Sequence, residues 1–249
     1  MKNCKVRTNI KIAAWAVAFS LTAAVGFGGC TNASDSSGGS GDAGGNGSAG
    51  ETNFTIKTVG GDTVLTGYEG EKPQGNIILP NGITKIGYNA FLNCSDLTGQ
   101  LVIPEGVTVI DAGAFSGCKK LETLVLPSTL VSIGGFAFYE CKNLTGELEL
   151  PENLTSIGKK AFSSCSNLSG ELVLPASLTT LDGLAFNDCS KLTSVKILFT
   201  DTTEMQAEAF GYFNNMQNIT RFTVKTEAVK NTLKSYGISE NKIIVDSTI

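Results

Sequence analysis

Five cysteines at positions 94, 118, 141, 165 and 189 and three glutamates at 147, 149 and 171 are the side chains in this sequence that could carry chemistry. Cys94, Cys118, Cys141, Cys165 and Cys189 recur every 23 or 24 residues. Thiols in that arrangement suggest disulfides, metal ligation or a nucleophile. Disulfides pair evenly and five is odd, although neighbouring rungs of a stacked structure could come within bridging distance. Zinc sites place paired ligands two or so residues apart, a spacing absent here. A nucleophilic cysteine needs a base, and the chain has no histidine. That absence also excludes a Ser-His-Asp set and removes the commonest metal ligand. The cysteines therefore read as small buried apolar residues filling one slot repeatedly. No cofactor or metal is expected. The acidic residues fall on an open surface, where water keeps carboxylate pKa values ordinary, so an enzyme is not expected either.

The elements that would position these residues repeat with the cysteines. The last apolar residues of successive L-x-L segments are Leu79, Ile103, Leu126, Leu150, Leu174, Ile197 and Val224, at steps of 24, 23, 24, 24, 23 and 27. Such a period marks stacked units that cannot bury their apolar faces alone. The alternation in "LVL" and "LEL" predicts half-buried strands, one per unit, forming a parallel sheet. Proline at 80, 104, 127, 151 and 175 ends each strand. "LTSI" and its equivalents predict a second extended piece, ending at Gly87, Asp111, Gly134, Gly158 or Asp182 in a left-handed turn. "KKAFSSC" predicts about two helical turns, with Phe162, Cys165 and Leu168 on the inward face. Gly99, Gly146 and Gly170 add a residue in the longer units and predict bulges. The last repeat fits with three residues inserted around "AFGYF", which leaves Phe213, Met216, Ile219, Phe222 and Val224 on the apolar columns.

The start of the chain belongs to a different class. Lys2, Lys5, Arg7 and Lys11 precede the apolar run "IAAWAVAFSLTAAVGF", and Gly28 and Gly29 precede Cys30. Basic, apolar and small-residue regions in that order make residues 1–29 a secretory signal. With the cysteine directly after it, the segment resembles a bacterial lipoprotein signal, and that resemblance implies lipidation at Cys30. The segment 31–50, "TNASDSSGGSGDAGGNGSAG", has no large apolar residue and reads as a tether of roughly 25 Å mean span. Loss of residues 1–29 removes four of the 19 Lys+Arg and none of the 23 Asp+Glu, taking the net charge from −4 to −8. No basic face for nucleic acid is expected.

The columns I-G-x-x-A-F-x-x-C-x-x-L-x-x-L-x-L-P over residues 79–224 resemble the BspA-type, or Treponema-type, leucine-rich repeats of bacterial surface proteins. The segments "VLTGYEGEKPQGNIILP" and "EAVKNTLKSYGISENKIIV" resemble the strand-rich beginning and helix-strand end of that family, giving caps at 51–78 and 225–249. The resemblance implies an α/β, β-rich solenoid: a right-handed superhelix of about six 23–24-residue repeats with a parallel sheet and short helices opposite. It also implies a non-catalytic surface lipoprotein that binds a protein or other macromolecule, such as host extracellular matrix or another bacterial surface. An inward-facing periplasmic scaffold is the alternative. The outward strand column (Ile78, Val102, Val125, Glu149, Val173, Lys196, Thr223), with Glu147 and Glu171 beside it, is the expected binding face. An apolar line of Val102, Val125 and Val173 would lie against Glu147, Glu149 and Glu171.

Overall fold

A computed structural model describes residues 52–200, 213 and 218–249. The expected signal segment, Cys30, the tether and Met216 lie outside the described residues.

The first described elements are strand β1 (Phe54–Val59) and strand β2 (Asp62–Tyr68). They form an antiparallel hairpin turning through Gly60 and Gly61, both at positive φ as a two-residue hairpin turn demands. β2 then starts a parallel sheet of two-residue strands, one per rung: Lys85–Ile86, Val109–Ile110, Ser132–Ile133, Ser156–Ile157 and Thr180–Leu181. These are the "LTSI" segments, and their inward Ile or Leu residues are all buried.

The L-x-L segments also pair in parallel, but in two separate groups. Gly99–Val102 pairs with Leu121–Val125. Ser169–Leu174 pairs with Lys191–Ile197, which pairs with Arg221–Val224 and then Ile243–Val245. Residues 76–79 and 147–150 form no strand, and single bridges, Gly75 to Leu97 and Gly146 to Leu168, join their rungs to the next. Rung length accounts for the breaks at the two single bridges. Where a long rung with the extra glycine meets a short one, the register shifts once, opposite Glu122 or Thr193, as in an ordinary bulge. Where two long rungs meet, two residues must be skipped between Gly75 and the next aligned column, and the ladder is lost.

The segments predicted as helical are runs of turns. In the first, Ala90, Leu92 and Cys94 donate their N–H groups three residues back to Gly87, Asn89 and Phe91. The N–H groups between them, on Asn89, Phe91 and Asn93, donate instead to Ala112, Ala114 and Ser116 of the next rung. Half the donors a helix would use are thus spent on stacking. The inward face was predicted correctly because turns and helices share the i, i+3 repeat: Phe162, Cys165 and Leu168 are buried.

Left-handed residues also sit elsewhere than expected. They are Asn89, Gly113, Phe136, Lys160 and Leu184, and four residues later Asn93, Gly117, Glu140, Ser164 and Asp188. Gly134 and Gly158 have a different reason to be glycine. A Cβ there would lie 2.5 Å from the backbone nitrogen of Ala112 or Gly135 in the preceding rung. Close approach of the rungs forbids the side chain.

Inside, Phe91, Phe115, Phe138, Phe162 and Phe186 stack with centroids 5.1–5.5 Å apart and planes within 10°. Tyr68 and Phe54 close the stack at one end; Phe213 and then Phe222 continue it at the other. Beyond Val224 the chain forms helix α1 (Glu227–Ser235), N-capped by the Thr226 hydroxyl, which accepts from the Val229 N–H. Val229 and Leu233 anchor it to the core.

Candidate binding face and the thiol column

Each cysteine sits directly after the left-handed residue of its turn, and its side chain points into the core. All five are free and fully buried. Their thiols are not merely filler. Cys118, Cys141, Cys165 and Cys189 donate S–H to the carbonyl of Phe91, Phe115, Phe138 and Phe162 in the preceding rung, at 3.1–3.3 Å. Each of those carbonyls also accepts the N–H of the cysteine in its own turn. Cys94 has no rung of this kind before it and reaches the Tyr68 hydroxyl at 3.6 Å. Burial disfavours the thiolate and pushes Cys141 and Cys189 up to about 12; Cys118 and Cys165 are raised for the same reason. A protonated, inaccessible sulfur is the opposite of a nucleophile. No cluster of His, Cys, Asp or Glu among the described residues is arranged to hold a metal.

The outward strand column is uneven. Ile78, Val102 and Val125 are 76%, 46% and 42% exposed, and Val102 and Val125 are direct cross-strand partners. Val173 is half-buried, so the apolar line comprises three residues at the N-terminal end rather than running the length of the face. Ile244, paired with Thr223, adds an exposed apolar residue at the far end that pattern reading missed, because it lies after the helix.

The three glutamates also divide. Glu147 and Glu149 are exposed in the rung that lacks a ladder. The Glu147 side chain lies over Gly170, where a Cβ would come within 2.5 Å of it. Glu171 is already engaged: the Ser194 hydroxyl donates to it at 3.1 Å and the Arg221 guanidinium lies 3.7 Å away. The negative charge left for a partner is that of Glu147 and Glu149. On the turn side, Lys160 sits over the exposed Phe136 ring, with its ammonium 5.7 Å from the centroid.

A model of the BspA type leucine rich repeat region matches residues 68–168 and 146–244, in six copies. The chain belongs to the BspA-type leucine-rich-repeat family. Solved relatives of this BspA-type chain share the solenoid. The T. pallidum leucine rich repeat protein TpLRR is 26% identical, with a TM-score of 0.59 over 75% of this chain and 94% of its own. The pneumococcal vaccine antigen PcpA is 25% identical, with a TM-score of 0.61 over 77% of this chain. A leucine-rich repeat protein from Bacteroides ovatus is 26% identical, with a TM-score of 0.55 over 70% of this chain. The BspA-type chain spans about half the length of these last two, 47% and 45% respectively. No curated protein matches it. BspA-type repeats build an interaction scaffold of a kind that is typically non-catalytic.

Proposed function

We propose that this protein is an exported, lipid-tethered surface scaffold that binds a protein partner through the N-terminal half of its L-x-L face. One observation carries the reading: Ile78, Val102 and Val125 project from successive rungs into solvent, and the next rung carries the exposed, unpaired carboxylates of Glu147 and Glu149. Apolar contact next to uncompensated charge suits a partner with a small apolar ridge and a basic margin. Residues 1–30 supply the export and anchoring signal in this reading, and the Gly/Ser segment 31–50 supplies reach. A pneumococcal relative described as a vaccine antigen is in keeping with display at a cell surface. The proposed setting is adhesion to host matrix or to a neighbouring bacterium.

The test is capture of extracellular matrix proteins and co-resident bacterial cells by the chain and by a Val102→Lys, Val125→Glu double variant, whose opposed charges suit a cross-strand pair. Capture should be lost while the thermal melt stays within a few degrees, because outward strand residues contribute little to the core. Reversal of Glu147 and Glu149 to Lys should slow association and abolish its salt dependence. Loss of capture on changing Lys159 and Lys160 on the turn side, with the face variants still active, would refute the assignment. Protease treatment of whole cells checks the orientation, since only an outward-facing domain is cut.

A further inference from the structure

β1 is the outermost strand of the sheet it shares with β2, and one of its edges has no neighbouring strand among the described residues. Four of its six residues, Ile56 to Val59, are exposed, with Ile56 at 44% and Val59 at 61% on opposite sides of the ribbon. This end of the hairpin therefore presents two faces and an edge to solvent. Two-stranded ribbons are marginal unless something packs on them. An exposed edge rich in β-branched residues, with Lys57 as its only charge, is a template for another strand.

We infer that β1 pairs antiparallel with β1 of a second copy of this chain, joining two solenoids at their N-terminal ends. A two-fold axis normal to the sheet pairs residues of the same parity, because opposed side chains must share a face. The centre of the pairing therefore falls on a residue. Centring on Lys57 would set two ammonium groups opposite each other, which is unfavourable. Centring on Ile56 sets Ile56 against Ile56, Thr55 against Lys57 and Phe54 against Thr58, with no like charges opposed. The position of β1 in the chain favours a second copy as occupant. The tether that anchors the protein in the proposed function ends at residue 50, a few residues before β1 begins at Phe54. Copies held on one membrane present this strand at similar heights and raise its effective concentration. In the paired ribbon the two β1 strands begin at Phe54 roughly 14 Å apart, at about 3.4 Å per residue, and each tether that leads to them has a mean span of roughly 25 Å. Both anchors can thus enter the same membrane. The pairing is separate from the L-x-L face, so it stands or falls independently of which partner that face takes.

The geometry makes position 56 unlike its neighbours. Of the seven cysteines, the five of the repeats are buried, Cys4 lies in the segment removed and Cys30 carries the lipid in the proposed function, and the parent chain oxidised alongside gives the background. The full chain, expressed in bacterial membranes, carries Ile56→Cys or Val59→Cys and is oxidised mildly. Opposed residues in an antiparallel pair have Cα atoms about 4.5–5.5 Å apart, within disulfide range. Ile56→Cys should form covalent dimers at several times the yield of Val59→Cys, although position 59 is the more exposed. Co-expressed Thr55→Cys and Lys57→Cys chains should form a mixed dimer. Ile56→Glu with Thr55→Cys and Lys57→Cys should not. Equal yields at 56 and 59 would mean random collision and would overturn the inference, as would absence of dimer at 56.

Discussion

Raising the pH from 7 to 10 probes the thiol column without altering a single residue. Cys118, Cys141, Cys165 and Cys189 are buried, their thiols donate to phenylalanine carbonyls, and burial holds them protonated, to about 12 for Cys141 and Cys189. In the unfolded chain each ionises near about 8.5. Below that pH both states carry the proton and the column contributes its full stability. Above it the native state binds more protons than the unfolded state, so stability falls as pH rises until the native thiols ionise. At about 1.4 kcal/mol per unit, each thiol costs about 2 kcal/mol by pH 10. Four together cost about 8 kcal/mol, against a total of about 5–15 kcal/mol for an ordinary domain. Urea unfolding followed by circular dichroism under reductant, between pH 7 and pH 10.5, should show this loss. Cys141→Ala supplies the control. It should be about 1–2 kcal/mol less stable than the parent at pH 7, and the two should converge near pH 10 because the variant has one fewer thiol to ionise. Parallel stability curves for parent and variant across this range would refute the reasoning, since they would mean that Cys141 titrates alike in both states.

Native-state labelling with a thiol reagent should be slow at all five repeat cysteines, as measured by mass spectrometry; rapid reaction at Cys118, Cys141 or Cys165 would contradict their burial. Gly158→Ala should destabilise by about 1–3 kcal/mol in a denaturant melt, because its Cβ would meet the backbone of Gly134 and Gly135 and neither can retreat. Leu184→Asn should raise the melting temperature, gaining about 1 kcal/mol, because Leu184 sits at φ 64 in a conformation that Asn tolerates better.

Much of this architecture was open to reading in the sequence, for physical reasons. The inward columns were legible because each rung buries the same set of residues, so Phe91, Phe115, Phe138, Phe162 and Phe186 recur at a period that composition alone would not produce. The turns were misread as helix because Phe162, Cys165 and Leu168 satisfy both. Only the destination of the alternate N–H groups separates the two, and that depends on the neighbouring rung. The glycines at 134 and 158 carried an ambiguous signal, since tight approach and positive φ both select glycine. On the candidate face, the exposed Val102 and Val125 followed from strand alternation. The pairing of Glu171 with Arg221 spans 50 positions and a rung of irregular length, and no local pattern encodes it.

The breaks in the L-x-L ladder have a consequence for how the chain can vary. Gly75 and Gly146, Gly99 and Gly170, and Leu121 and Leu192 are each 71 positions apart, so the order long, long, short occurs twice. The Gly87, Asp111, Gly134 series restarts at the same interval, with Gly158 and Asp182. The two ladders begin at equivalent places in the two blocks, Gly99–Val102 with Leu121–Val125 and Ser169–Leu174 with Lys191–Ile197. The heritable unit is therefore a triplet of rungs, and the present chain has the form of a tandem duplication. Lengthening by a whole triplet preserves every junction between neighbouring rungs. Adding one rung alone creates a new junction and moves the place where the ladder breaks. Natural length variants of this protein should accordingly differ by multiples of 71 residues.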